Sequence, residues 1–239
     1  MTRISVAGTI QRVAVLITVC AMLWDSNEKS FEFSQCYTEE WAERLYDGLE
    51  RNLTVPFKMA LFVDYERELN RPIEQHLLER RPIDYGSCIE PYKLPGPKIV
   101  MGLDTVITGN IDHLAKWAIA GNAFLLPRDP YAPHQACNGV AICPASLDLW
   151  SGWDGENDMD WCRSFPHEMV SNVFPGDVVS YKGHVRDRGI ENAKIVYFHG
   201  APKMHELPGI AWVDEHWGAP VLNKSNTLKS STMTRRRYS

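Results

Sequence analysis

The chain has 239 residues, 44% hydrophobic and 23% charged, with a net charge of -5. That is enough chain to bury one sizeable core, in an ordinary globular composition. The acidic balance gives no reason to expect a duplex nucleic-acid surface, which normally carries a net basic face, so no nucleic-acid partner is expected and an anionic ligand must be held by local groups.

In chain order, residues 1–12 read as an extension and "VAVLITVCAML" as a first strand, about Val13 to Leu23. Behind Arg3 and Arg12 that run resembles a signal-peptide core, but no small-x-small cleavage site precedes "WDSNEKSF". It is also shorter than the roughly 20 apolar residues that span a bilayer, so a central strand is the expectation, with secretion the alternative and no transmembrane segment. "TEEWAERLYDGLERNL" places Trp41, Leu45, Leu49 and Leu53 four apart behind Thr38 as N-cap, a helix closed by Pro56. "FKMALFVD" follows as a strand, completing a β-α-β unit of the parallel-sheet type.

"IEQHLLER" fits either a short strand or a helical turn, and "RRPIDYGSCIEPYKLPGPK" a loop around a short helix. "NAFLLP", "GVAICPA" and "AKIVYFHG" are further short strands. From Trp217 the chain turns polar and basic, ending in "RRRYS", so a folded domain over 13–216 and a disordered tail over 217–239 are expected. The six cysteines form no CxxC pair and read as buried thiols of a reducing compartment, which points to the cytoplasm.

"KIVMGLDTVITGN" is a buried-looking strand interrupted by one acid, Asp104. An ionised carboxylate in an apolar interior costs several kcal/mol or more unless it is paired or coordinating. Asp104 therefore ends the strand at a wet edge or has a charged partner. Strands alternating with helices describe an open α/β sheet, in which ligands sit outside the carboxyl ends of the strands. Asp25, Asp64, Asp104 and His199 all fall near such ends, although turn or N-cap roles compete for Asp25 and Asp64.

With those residues in place, the chain resembles the glycogenin-like retaining glycosyltransferases. "MGLDTVITGNI" is similar to the strand that carries their DxD motif, with Asp104 at the second acid and Gly102, a departure, at the first. "ACNGVAICPA" resembles their Asn-x-Gly strand through Asn138 and Gly139, and "ENDMDW" the helix start that follows it, through Glu156, Asn157 and Asp158. "YFHGAPK" is similar to their His-containing turn, sharing Gly200 and Lys203; the family histidine falls on Tyr197, while this chain offers His199. These motifs recur in family order over residues 13 to 205.

The resemblance implies a single GT-A-like (Rossmann-like) α/β domain with a mostly parallel central sheet flanked by helices. It implies a glycosyltransferase, acting with retention and metal assistance, that takes a nucleotide-diphosphate sugar donor and an unknown glycan, protein or lipid acceptor. Asp104 and His199 are the implied metal ligands, for manganese or else magnesium, which accept oxygen and, for manganese, imidazole donors. Residues 197 and 199 share one face of a strand, so an imidazole moved by two positions keeps its direction. Lys203 would meet the β-phosphate beside Gly200, with Lys182 a weaker candidate, and Asp64 would approach the nucleotide. Asn138, Glu156 and Asp158 would line the sugar and acceptor side as the catalytic group. Gly102 and Tyr197, at two expected ligand positions, motivate the alternative of a catalytically inactive nucleotide-sugar-binding protein. A nucleotidyltransferase is a further alternative, but it normally carries a Gly-rich loop after the first strand and "WDSNEKSF" has no glycine.

Overall fold

The structure, a computed structural model, describes residues 16–30 and 36–218. The N-terminal extension, residues 13–15 of the first strand and nearly all of the expected tail lie outside the described residues.

Strands β1 (Ile17–Leu23), β2 (Phe57–Val63), β3 (Ile73–Leu77), β4 (Lys98–Met101), β6 (Leu125–Leu126), β7 (Val140–Cys143) and β8 (Glu168–Met169) form a seven-stranded sheet in the order β3-β2-β1-β4-β7-β6-β8. Within it β7 runs antiparallel to its neighbours β4 and β6, and the other pairings are parallel. A second sheet joins β5 (Thr105–Ile107), β10 (Ile195–Tyr197) and β9 (Val178–Ser180) in that order. The ambiguous "IEQHLLER" segment is therefore a strand, paired with β2.

The apolar runs are continuous because both faces of the central sheet are covered. Along β1, Ile17, Val19, Ala21 and Leu23 join one core cluster, and Cys20, with Phe62 and Val100 from neighbouring strands, joins the other. Helix α1 (Glu39–Asn52) covers the first face with Trp41, Leu45 and Leu49 buried, each worth about 1.5–3 kcal/mol in transfer terms. Thr38 holds the N-cap position without making a side-chain cap bond. All six cysteines are free thiols. Four are buried, and burial pushes Cys20 up to about 12, which makes it inert.

One boundary shifts. Trp217, expected to open the tail, is 7% exposed and packs edge-on to Trp41 at 5.0 Å, under the Arg44 guanidinium at 4.2 Å. Its indole fills space beside α1 that polar flanking sequence gave no reason to assign to the core. Among the described residues no helix is long and apolar enough to cross a membrane.

Candidate functional site

In the central sheet the chain steps outward from β1 to β2 and β3, then returns to place β4 on the other side of β1. Open α/β sheets bind ligands at that reversal, outside the carboxyl ends of the strands. A cavity of about 860 Å³ lies there, bordered by Trp24 after β1, Gly102 to Asp104 after β4, Asn138 before the antiparallel β7, and His199 to Lys203 after β10. Its volume suits a ligand the size of a nucleotide sugar.

The strand interrupted by Asp104 is in fact two strands. β4 ends at Met101 in the central sheet and β5 begins at Thr105 in the second, so Asp104 sits where the chain changes sheet. Its main-chain oxygen accepts from Phe198 N at 2.9 Å, which ties this corner to the end of β10. Its side chain has the charged partner that its position demands: the Lys203 ammonium donates to Oδ2. The Tyr37 hydroxyl donates to the same oxygen at 2.9 Å. Burial, then the charge of Asp104, pushes the Tyr37 phenol up, so it remains a donor. Gly102 leaves this carboxylate where it is, because a Cβ there would stand 2.4 Å from Asp104 Oδ1. The acid missing from position 102 could not be added without moving the acid at 104.

His199 and Tyr197 border the cavity together, their rings 5.9 Å apart, although β10 ends at Tyr197 and His199 lies in the turn beyond it. Tyr197 is committed to structure, donating to the Arg128 main-chain oxygen at 2.9 Å. Its ring also lies 3.0 Å from where a Cβ on residue 139 would be, which accounts for Gly139. His199 is not committed: both ring nitrogens are buried and neither has a hydrogen-bond partner among the described residues. Burial, then the charge of Lys182, lowers its pKa, so the imidazole is neutral and able to act as a ligand. Tyr131 lies edge-on to it at 5.2 Å and accepts from Lys182 Nζ at 3.3 Å.

On the opposite wall Asp158 opens helix α3, the short Asp158–Ser164 element after α2 (Asp112–Ile119), with the Asn157 side chain capping Met159 N and Asp160 N. Asn138 Nδ2 donates to Asp158 Oδ2 at 2.7 Å. Burial raises the Asp158 pKa against that hydrogen bond, which leaves a carboxylate that gains from further donors.

Of the residues singled out from sequence, Asp104, Asn138, Asp158, His199, Gly200, Lys203 and Lys182 all border this cavity. Two do not. Asp64 is turned to Arg67, whose Nη2 reaches its Oδ1 at 2.5 Å and also bonds Asp25 Oδ1 at 3.0 Å. The four strand-end groups thus divide into an Asp25–Asp64–Arg67 cluster and an Asp104–His199 cluster, because a buried guanidinium, 4% exposed, claims the first pair. Glu156 is exposed and folds back on its own loop, accepting from Asp154 N at 3.2 Å. Sequence reasoning missed Tyr37 and Asp129, both on the cavity wall, the latter paired with Arg163 at 2.8 Å. "CYTEE" and "PRDPYAP" carry no spacing that marks either.

Among the described residues no three His, Cys, Asp or Glu side chains gather closely enough to hold a metal ion. Asp104 and the partnerless imidazole of His199 both border the cavity and are donor types that a divalent cation accepts, but two side chains do not make a closed protein cage and Asp104 Oδ2 already takes the Lys203 ammonium.

No protein-family model matches the chain and no curated protein matches its sequence. Among solved structures it is similar to the glycosyltransferase GlyE of Streptococcus pneumoniae TIGR4, with a TM-score of 0.52 and 12% identity over 84% of this chain. The chain spans 60% of that protein's length. This likeness supports a glycosyltransferase fold in the broad sense and does not single out the glycogenin-like branch. With its mixed sheet and flanking helices, the chain is a single GT-A-like α/β domain.

Proposed function

We propose that the chain is a glycosyltransferase that binds a nucleotide-diphosphate sugar in the cavity at the β1/β4 reversal and transfers the sugar, with retention, to an acceptor hydroxyl on a glycan, protein or lipid. The observation that carries this reading is convergence: four motifs spread from Asp104 to Lys203 in sequence meet around one cavity on a glycosyltransferase-like fold. In the reaction the bond from the anomeric carbon to the β-phosphate oxygen breaks and the acceptor oxygen bonds that carbon on the same face. The acceptor proton leaves with the diphosphate. A divalent cation, manganese or magnesium, supplies charge neutralisation to the departing diphosphate when bound.

Lys203 and Lys182 are the ammonium groups available to phosphate oxygens, as mobile point charges. Asp158, oriented by Asn138, faces the sugar, where a desolvated carboxylate can accept from sugar hydroxyls or stabilise positive charge developing at the anomeric carbon. The test is release of nucleoside diphosphate from a panel of nucleotide sugars, with water standing in for the acceptor. One donor should be cleaved by the parent and spared by Asp158→Asn; no cleavage of any donor would refute the enzymatic reading. One observation favours a second reading, a nucleotide-sugar-binding protein without transfer: Asp104 stands alone where the family has two acids, and a side chain at Gly102 would displace its carboxylate.

A further inference from the structure

The Asp104 corner holds a conflict that a nucleotide-sugar site does not by itself explain. The carboxylate best placed to ligate a cation already has a cation on it. Lys203 is 6% exposed, and among the described residues its ammonium, with three N–H donors, has Asp104 as its only hydrogen-bond or ion-pair partner. Tyr37 donates to the same carboxylate oxygen, so that oxygen is fully occupied. A divalent ion on the same carboxylate is repelled by the ammonium unless an anion lies between them.

We propose that Lys203 is an exchangeable counter-ion: it neutralises Asp104 while the cavity is empty, and moves to the diphosphate when a divalent cation arrives together with a nucleoside diphosphate. This rests on the nucleotide-sugar reading above. A cation arriving alone either sits against the ammonium or displaces it and leaves it buried without a partner, and both disfavour the metal by itself. A diphosphate arriving alone finds Lys203 committed to Asp104 and adds negative charge beside Asp158, with Lys182 the other lining ammonium to balance it. Arriving together, the two satisfy every group: Asp104 and His199 take the cation, phosphate oxygens complete its shell, and Lys203 exchanges a carboxylate for phosphate. Coupling of this kind is reciprocal, so each ligand must strengthen the other by the same factor. Gly102 serves the same device. With no second acid beside it, Asp104 can be neutralised by one ammonium, whereas a second adjacent carboxylate would favour a cation over that exchange.

The experiment is manganese binding to the full chain, followed by electron paramagnetic resonance, with and without each common nucleoside diphosphate and corrected for metal–nucleotide complex in solution. The parent should bind manganese weakly alone and at least about tenfold more tightly with its diphosphate. Lys203→Met should bind manganese alone more tightly than the parent and lose most of that enhancement. Lys203→Gln, neutral but able to donate to Asp104, provides the same comparison if the methionine variant does not fold. An unchanged enhancement in both variants, or a diphosphate that binds equally well without manganese, overturns the exchange and leaves the nucleotide-sugar reading standing. A protein that binds no nucleoside diphosphate under either condition refutes both.

Discussion

Asp104→Asn is the perturbation whose outcome the structure changes most. From sequence, an isosteric amide in a strand should cost little stability. In the fold, that substitution removes the counter-charge of Lys203, whose side chain is 7% exposed against 15% for Asp104. Removing one partner of a fully buried ion pair costs about 3–5 kcal/mol, and because this pair lines an open cavity and is partly solvated we expect less, about 2–3 kcal/mol. For a chain of this size that is a fall in Tm of roughly 5–10 °C. Lys203→Met should cost less, because the Asp104 left behind is nearer to solvent and keeps its Tyr37 hydrogen bond. The double variant Asp104→Asn/Lys203→Met leaves no unpaired charge and should recover about 1.5–2.5 kcal/mol relative to the sum of the singles. Urea unfolding of the four proteins measures the cycle directly. Additive losses, within about 0.5 kcal/mol, would mean that the pair does not exist in solution and would remove the basis for counter-ion exchange.

Arg67→Met should destabilise the fold by about 3 kcal/mol by leaving Asp25, Asp64 and Glu39 without their shared cation, while donor binding by titration calorimetry stays unchanged. Altered binding would return Asp64 to the ligand site. The His199 pKa is lowered in the fold, so its contribution to stability is full above its unfolded value near 6.5 and is lost as pH falls below that. His199→Gln should therefore flatten the fall in Tm on acidification from neutral pH; an identical profile would mean that the imidazole is as solvated folded as unfolded. Asp158 has its pKa raised by burial, so its charged form disfavours the fold once pH exceeds the ordinary aspartate range. Asp158→Asn should accordingly hold or raise Tm at neutral pH while abolishing donor cleavage, and a lower Tm there would make Asp158 structural.

What was legible in the sequence follows from periodicity and cost. The four-residue spacing of Trp41, Leu45 and Leu49 and the continuous apolar runs have one physical solution each, a one-faced helix and strands covered on both faces. Asp104 was legible because charge inside an apolar run is expensive, and Lys203 is the partner that this cost required. Asp64 and Glu156 looked equivalent to it, since strand-end and helix-start acids share the same local chemistry. What separates them is a guanidinium three residues on and a loop that folds back, and neither leaves a sequence period. Tyr37 and Asp129 were invisible for the same reason, lying in irregular segments brought to the cavity by the fold. Trp217 was lost to composition, a single core residue at the head of a polar stretch.

The central claim is that the cavity at the β1/β4 reversal binds a nucleotide-diphosphate sugar, and its most direct test is a thermal-shift panel of nucleotide sugars with manganese, run on the parent and on Asp104→Asn/Lys203→Met. At one hundred times its Kd a ligand adds about 2.7 kcal/mol, or a rise of roughly 5–10 °C here. The account predicts that one nucleotide sugar gives such a rise in the parent and that the double variant, folded but stripped of the cation-side carboxylate and the phosphate-side ammonium, loses most of it. A panel in which no nucleotide sugar moves the parent, or in which the double variant responds as the parent does, would contradict it.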